Sequence, residues 1–216
     1  MSIGRGPQLT RRLGIASAIA IVLLSAVYAL TLSAGLLTLA SSREPIGDPW
    51  FSLLEVEIMA LAPLMVIVSA EVHAWAAPAH KTSSLIALVF MSMLAALTCS
   101  VHVVMLTVSH QAAAAELPLL LSFRWPSVPY AIDILAWDLF FGLSMLFAAP
   151  AFHGDRLRTG FRVLLTIRGT LALVGLIGLV PGAIQLRMTG VVGYAIVYPV
   201  AVALLAVLFR RGANAV

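Results

Sequence analysis

Six long apolar runs constrain what this chain can fold into. They lie near 13–39, 51–77, 84–109, 129–152, 162–184 and 189–209. A helix needs about 20 apolar residues to cross the hydrocarbon of a bilayer, because each residue adds about 1.5 Å to its length. The runs therefore predict an all-α, polytopic membrane protein, a bundle of six transmembrane helices. The connections between them are short, so we expect residues 1–216 to form a single transmembrane domain.

The composition argues against the main alternative classes. Apolar residues make up 62% of the chain and charged residues only 10%, whereas about a quarter of the residues in a soluble domain are charged. The basic residues lie at the ends of the apolar runs rather than in one patch, so we expect no nucleic-acid partner. The single cysteine, Cys99, lies inside an apolar run, which argues against disulfides and cysteine-based metal sites. Membrane lipids are the expected surroundings.

The distribution of basic residues predicts the orientation in the membrane. Cytoplasmic loops of membrane proteins carry an excess of lysine and arginine. With a cytoplasmic N-terminus, the outer segments carry only Arg43, Arg124 and Arg187. Both termini are therefore predicted to be cytoplasmic, which an even number of spans requires, and we expect the cell inner membrane. The inner segments then carry Arg5, Arg11, Arg12, Lys81, Arg156, Arg158, Arg162, Arg210 and Arg211.

Ionisable side chains inside the predicted spans mark a candidate site. Each costs about 2.5 to 3.5 kcal/mol to insert, so such groups usually face the bundle interior. The helical rise places Glu57 and His102 about 9 to 10 Å below the outer end, and Asp133 and Asp138 about 6 and 14 Å below it. We predict that Glu57, His102 and Asp138 form an outer catalytic cluster, with Asp133 as a further candidate. Asp133 and Asp138 are about 140° apart and are expected not to share a narrow face, and Glu55, about 200° from Glu57, is expected outside the cluster.

Aromatic residues near the same depth are candidates for lining a substrate pocket. The deeper ones lie on the predicted fourth and sixth helices, where they would face a cavity. Aromatic residues are also common at the membrane interface, and the outer connection 110–128 fits an interfacial loop. The predicted substrate-binding residues are Trp137, Phe141, Tyr198, Tyr194 and Trp125.

Glu71 and Arg168 are predicted to form a structural ion pair. Each lies six residues from the cytoplasmic end of its predicted helix, and a buried acid and base at one depth neutralise each other. Snorkelling of Arg168 to the inner interface is the alternative.

Several residues interrupt the helical backbone or favour close packing. Pro63, Pro181 and Pro199 lie inside predicted spans, where proline removes a helical hydrogen bond. Gly178 and Gly182 form a small-residue pair of the kind that brings membrane helices together. We expect this pair to serve packing within the bundle or a homodimer contact.

The motifs give no support for cofactor chemistry. No phosphate-binding glycine loop, nucleophile elbow or zinc-protease motif is present. We expect no cofactor and no metal. Glu57, His102 and an aspartate would nevertheless supply three zinc ligands, so zinc in the outer cluster stays an open alternative.

Three functions fit these residues. An enzyme or lipid-binding protein would bind or convert a lipophilic, isoprenoid- or lipid-like substrate in the outer pocket, as an isomerase or cyclase with Asp138 or Glu57 as acid and His102 as base. A small proton-coupled carrier would relay protons through the same groups. In a non-catalytic bundle they would only join helices, and the protein would assist a partner. A carrier needs polar groups that continue to the inner side, whereas an enzyme pocket is closed there.

Overall fold

The computed structural model describes residues 6–41, 44–177 and 184–211, and within these ranges the chain is helical and contains no strand. Six helices in this part are long and apolar enough to cross a membrane, which confirms the predicted all-α architecture with six spans. We label them α1, Arg11–Leu37; α2, Trp50–Trp75; α3, Pro78–Thr107; α4, Val128–Ala151; α5, Arg156–Ile177; and α6, Arg187–Arg211.

The helices form one closed bundle. α2 packs between α1 and α3, α3 packs on α4, α4 on α5, and α6 contacts both α5 and α1. The Arg11 Nε atom donates a hydrogen bond to the Phe209 carbonyl over 2.8 Å. The first and last spans therefore meet at one end of the bundle, as an even number of crossings requires. We call this the arginine-rich end and the opposite one the distal end.

Helix α5 begins six residues earlier than its apolar run. Its first turns carry Arg156, Arg158 and Arg162, whose side chains are exposed while their backbone stays helical. Arg168 consequently lies twelve residues into the helix, about 18 Å from its start. The end predicted for this run, which includes Pro181 and the glycine pair at 178 and 182, lies outside the described residues.

Two of the six long apolar helices contain a π-helical segment. These segments are Leu135–Phe140 in α4 and Gly193–Val197 in α6, and both pack against α5. In the first, the Phe141 N–H bonds to the Ala136 carbonyl five residues earlier. One residue is thereby added to the turn, and such insertions are frequent at functional sites.

Pro63 and Pro199 differ in their surroundings. Pro199 lies two residues after the π-helical segment of α6, whose widened turn accommodates a ring that has no N–H to donate. Pro63 lies inside α2, which stays helical from Trp50 to Trp75.

Candidate functional site

Buried charged side chains from four helices form a chain of contacts near the distal end. His102 on α3 is hydrogen-bonded through Nδ1 to Oε2 of Glu55 on α2, at 2.6 Å. Its Nε2 lies 3.6 Å from Oδ1 of Asp133 on α4. Arg187 on α6 donates to Asp133 Oδ2 over 2.6 Å, and its Nε lies 3.5 Å from Asp138 Oδ2.

Arg168 on α5 lies beside this chain without an ion pair in the described part of the structure, and it acts on Asp138 through its charge. We call the six residues the ion network. None of the six is more than 8% exposed. The ion network consists of Glu55, His102, Asp133, Arg187, Asp138 and Arg168.

Equal depth explains why three of these side chains meet. Glu55 and Asp133 each lie five residues from the first residue of their helix, and His102 lies five residues before the end of α3. At the helical rise all three are about 7.5 Å from the distal end. The side chains therefore reach one level although they come from three helices.

The π-helical segment of α4 brings Asp133 and Asp138 to the same arginine. In a regular helix the two carboxylates would be about 140° apart. The wider turn between them reduces this angle, and both carboxylates contact Arg187. The prediction that they cannot share a face is therefore wrong.

Two glycines of α6 make room for the deepest charges of the ion network. A Cβ atom at Gly190 would collide with Oδ1 of Asp138, and one at Gly193 would lie 3.0 Å from Cδ of Arg168. Helix α6 can therefore approach α4 and α5 closely at the level of these two side chains.

The predicted pocket aromatics pack around Arg168. Its NH2 atom donates to the Trp137 carbonyl over 3.0 Å, and its guanidinium carbon lies 4.0 Å from the centre of the Phe141 ring. The ring centres of Trp137 and Tyr194 are 5.1 Å apart, and those of Phe141 and Tyr198 are 4.7 Å apart. The four rings thus form one connected group, in which the Phe141 ring packs on the arginine.

The connection between α3 and α4 covers part of the distal end. It places the ring of Phe123 5.4 Å from that of His102. Trp125 is 40% exposed and its ring centre lies 6.4 Å from that of Tyr130. The predicted substrate-binding Trp125 therefore lies at the surface, away from the deeper aromatic rings.

Glu55 takes the position at His102 that was predicted for Glu57. Glu57 is half-buried and accepts a 2.7 Å hydrogen bond from Thr31 of α1. Because α2 packs between α1 and α3, both of its flanks are covered. Two acids about 200° apart can therefore both be sheltered, one facing each neighbour.

The predicted pair of Glu71 and Arg168 is wrong for the described side chains. Glu71 packs beside Gly14 of α1 and interacts electrostatically with Arg11. It lies four residues from the end of α2, about 6 Å deep. Arg168 is about 12 Å deeper, because α5 begins earlier than predicted.

Arg187 and Tyr28 lie at the site although neither was among the predicted site residues. The guanidinium carbon of Arg187 lies 4.4 Å from the centre of the Tyr130 ring, and Tyr28 interacts with Asp133 and Glu55. One signal for Arg187 was present, since an arginine on the predicted outer side runs against the usual charge bias. No comparable signal marked Tyr28.

A surface acid–base pair lies above the ion network. His110 Nδ1 is 3.5 Å from Asp48 Oδ2, and His110 also interacts with Glu55. The hydroxyl of Ser52 donates to Asp48 Oδ1 over 2.6 Å and lowers the pKa of this carboxyl. Titratable groups therefore continue from the ion network to the distal surface.

Polar groups also continue toward the arginine-rich end. The Tyr198 side chain interacts electrostatically with Arg168 and lines an otherwise apolar cavity that also contains Ser69. The cavity has a volume of about 30 Å³, enough for about two water molecules. Beyond it, His73 on α2 is 2.9 Å from the hydroxyl of Ser84.

Among the described residues, no group of three or more His, Cys, Asp or Glu side chains is arranged to hold a metal ion. Comparisons of the chain with protein-family models, curated proteins and solved structures gave no match. The fold and the contacts of its side chains thus define the class as a six-helix membrane-type bundle with a buried ion network.

Proposed function

We propose that this protein is a small proton-coupled membrane carrier whose proton-binding site is the ion network. The observation that carries the proposal is a charge count. Three carboxylates and two guanidiniums sum to −1, and only a proton on His102 or on one of the acids makes the network neutral. An uncompensated charge is costly in a low-dielectric interior, so the resting network holds one proton.

The proton has several acceptors within a short distance. Glu55 and Asp133 flank His102 on opposite ring nitrogens, at 2.6 and 3.6 Å. His102 Nε2 has no hydrogen-bond partner among the described atoms and is free to receive or release a proton toward Asp133. Imidazole suits this role because its charge changes near neutral pH.

Arg187 couples proton binding to the contacts between helices. It bridges Asp133 and Asp138, and protonation of Asp133 removes half of this attraction. Arg187 then pairs more strongly with Asp138. The point at which the arginine of α6 contacts α4 therefore moves from Asp133 toward Asp138. A change in helix contacts driven by a proton is what a coupled carrier requires.

Groups on both sides of the ion network favour a carrier over a closed enzyme pocket. Asp48 and His110 lie toward the distal surface, while Tyr198, the small cavity and His73 lie toward the arginine-rich end. The aromatic rings expected to line a lipophilic pocket instead pack against one another. Conversion of a lipid-like substrate therefore stays a prediction without support from these contacts.

Within this proposal, the arginine-rich end faces the cytoplasm of a cell with an inner membrane. The described arginines exposed at that end include Arg156, Arg158, Arg210 and Arg211. Arg187, counted above as an outer arginine, points into the bundle, which leaves Arg124 as the described exposed arginine of the distal side. The charge bias supports cytoplasmic termini.

The proposal is tested by proton flux into vesicles that contain the purified protein. A pH-sensitive dye inside reports acidification after an external pH step, with valinomycin and equal potassium on both sides. We expect the wild-type protein to raise the rate above that of protein-free vesicles. Glu55→Gln is expected to return the rate to the protein-free value, because the network is then neutral without a proton while the amide still bonds His102.

The matched control is His153→Gln, an exposed histidine outside the ion network. It should leave the flux unchanged. Wild-type vesicles no faster than empty ones would contradict the carrier. If Glu55→Gln then altered only thermal stability, the network would be structural.

A further inference from the structure

We propose that a groove between α5 and α6 at the arginine-rich end binds one anionic phospholipid. The groove is open to the surroundings of the bundle and has a volume of about 580 Å³. It shares no residue with the ion network, so this proposal is independent of proton transport. Its walls include Arg156, Thr159, Gly160, Val163, Leu164 and Leu204.

The groove is polar at its mouth and apolar farther along the helices, as a phospholipid is polar at its headgroup and apolar along its acyl chains. Arg156 and Thr159 lie in the first turn of α5, at the level of the headgroups. Val163 and Leu164 lie about 11 to 12 Å into the helix, and Leu204 is at a similar depth from the end of α6. A charged headgroup therefore meets polar side chains while an acyl chain follows apolar ones.

The charge around the mouth selects an anionic headgroup. Arg158 is engaged by Asp155 at 3.7 Å and by the Trp75 ring at 5.1 Å. Arg156 has no ion-pair partner in the described part of the chain, and guanidinium binds phosphate oxygens in a bidentate manner. The surrounding charges, five positive and one negative, sum to +4: Arg156, Arg158, Arg162, Arg210, Arg211 and Asp155.

Gly160 keeps the groove open. A Cβ atom at this position would meet only Cδ2 of Leu204, at 3.8 Å, which is ordinary van der Waals contact. A larger side chain would therefore enter the groove without displacing the backbone. This gives a variant that blocks the acyl part and leaves every arginine in place.

The experiment is native mass spectrometry of the full chain released from vesicles of phosphatidylcholine and phosphatidylglycerol in equal amounts. We expect one retained phosphatidylglycerol and little phosphatidylcholine. Arg156→Gln should lower the occupancy of phosphatidylglycerol about fivefold, since one arginine near a membrane surface contributes about 1 kcal/mol. Gly160→Leu should lower it at least as much. Arg124→Gln, an exposed arginine at the distal end, is the matched control and should have no effect.

Any other outcome contradicts the proposal, and each one points to a different cause. Equal retention of the two lipids would mean that the arginines do not select the headgroup. Loss with Arg156→Gln but not with Gly160→Leu would indicate surface attraction without use of the groove. Loss with Arg124→Gln would indicate a general effect of charge. Thermal unfolding of each variant shows whether it is folded before lipid retention is compared.

Discussion

Asp138 has room inside the bundle because residue 190 carries no side chain. A methyl group there would collide with the carboxylate that faces Arg187. We expect Gly190→Ala to lower the free energy of unfolding by about 1 to 3 kcal/mol, the usual cost of adding a methyl group to a filled interior. Thermal unfolding in detergent, followed by tryptophan fluorescence, measures the change.

Gly160→Ala is the matched control for this substitution. It adds the same methyl group to a helix, but the nearest atom is 3.8 Å away. It should leave stability unchanged or raise it, because alanine favours the helix by about 1 kcal/mol over glycine. Equal destabilisation by the two variants would show that the contact between Gly190 and Asp138 is not what matters.

At the residue scale, the depth of a side chain along its helix could be predicted, but the neighbouring helix that it faces could not. The helical rise brought His102 and Asp133 to similar depths, and the two side chains contact each other. The choice between Glu55 and Glu57 depended on which flank of α2 is buried, and both flanks are covered. A single sequence does not indicate how many neighbours a helix has, so the wrong acid was selected.

The π-helical segment of α4 sets the angle between Asp133 and Asp138. We expect insertion of one alanine after Leu135, which is 38% exposed, to rotate Asp138 by about 100° relative to Asp133. Only one of the two carboxylates could then reach Arg187. The melting temperature should fall while the helical content measured by circular dichroism stays nearly constant.

Leu135→Ala serves as the control for the insertion, since it places an alanine at the same position and keeps the register. It should stay close to the wild type in melting temperature. Similar losses in the two variants would assign the effect to a local disturbance at position 135 rather than to the rotation of Asp138.

At the element scale, the length of the apolar runs predicted the helices, but it did not predict their local backbone geometry. In lipid, the backbone N–H and C=O groups of a run of about 20 apolar residues must bond to one another, which favours a helix. The six apolar runs were therefore enough to predict the six helices. An inserted residue leaves no comparable pattern, and the π-helical segments were missed. The start of α5 was also misplaced, because its arginine-rich first turns resemble a loop in composition, and the error moved Arg168 away from its true depth.

The whole bundle presents two ends of different charge, and this determines its predicted orientation. In a Cys99→Ala background, we expect Arg124→Cys to react with a membrane-impermeant maleimide on intact cells. His153→Cys, near the arginine-rich end, should react only after permeabilisation. The reverse pattern would place the arginine-rich end outside and would contradict the predicted orientation.

The charge count of the ion network has an electrical consequence for the whole molecule. With its proton the network is neutral, so a voltage across the membrane exerts little net force on it. Without the proton it carries −1 at roughly a quarter of the hydrocarbon thickness from the distal end. A full crossing corresponds to about 2.3 kcal/mol per 100 mV, so this position corresponds to about 0.6 kcal/mol. In the proposed carrier, voltage would therefore act on the movement of the unprotonated site and hardly on that of the protonated one.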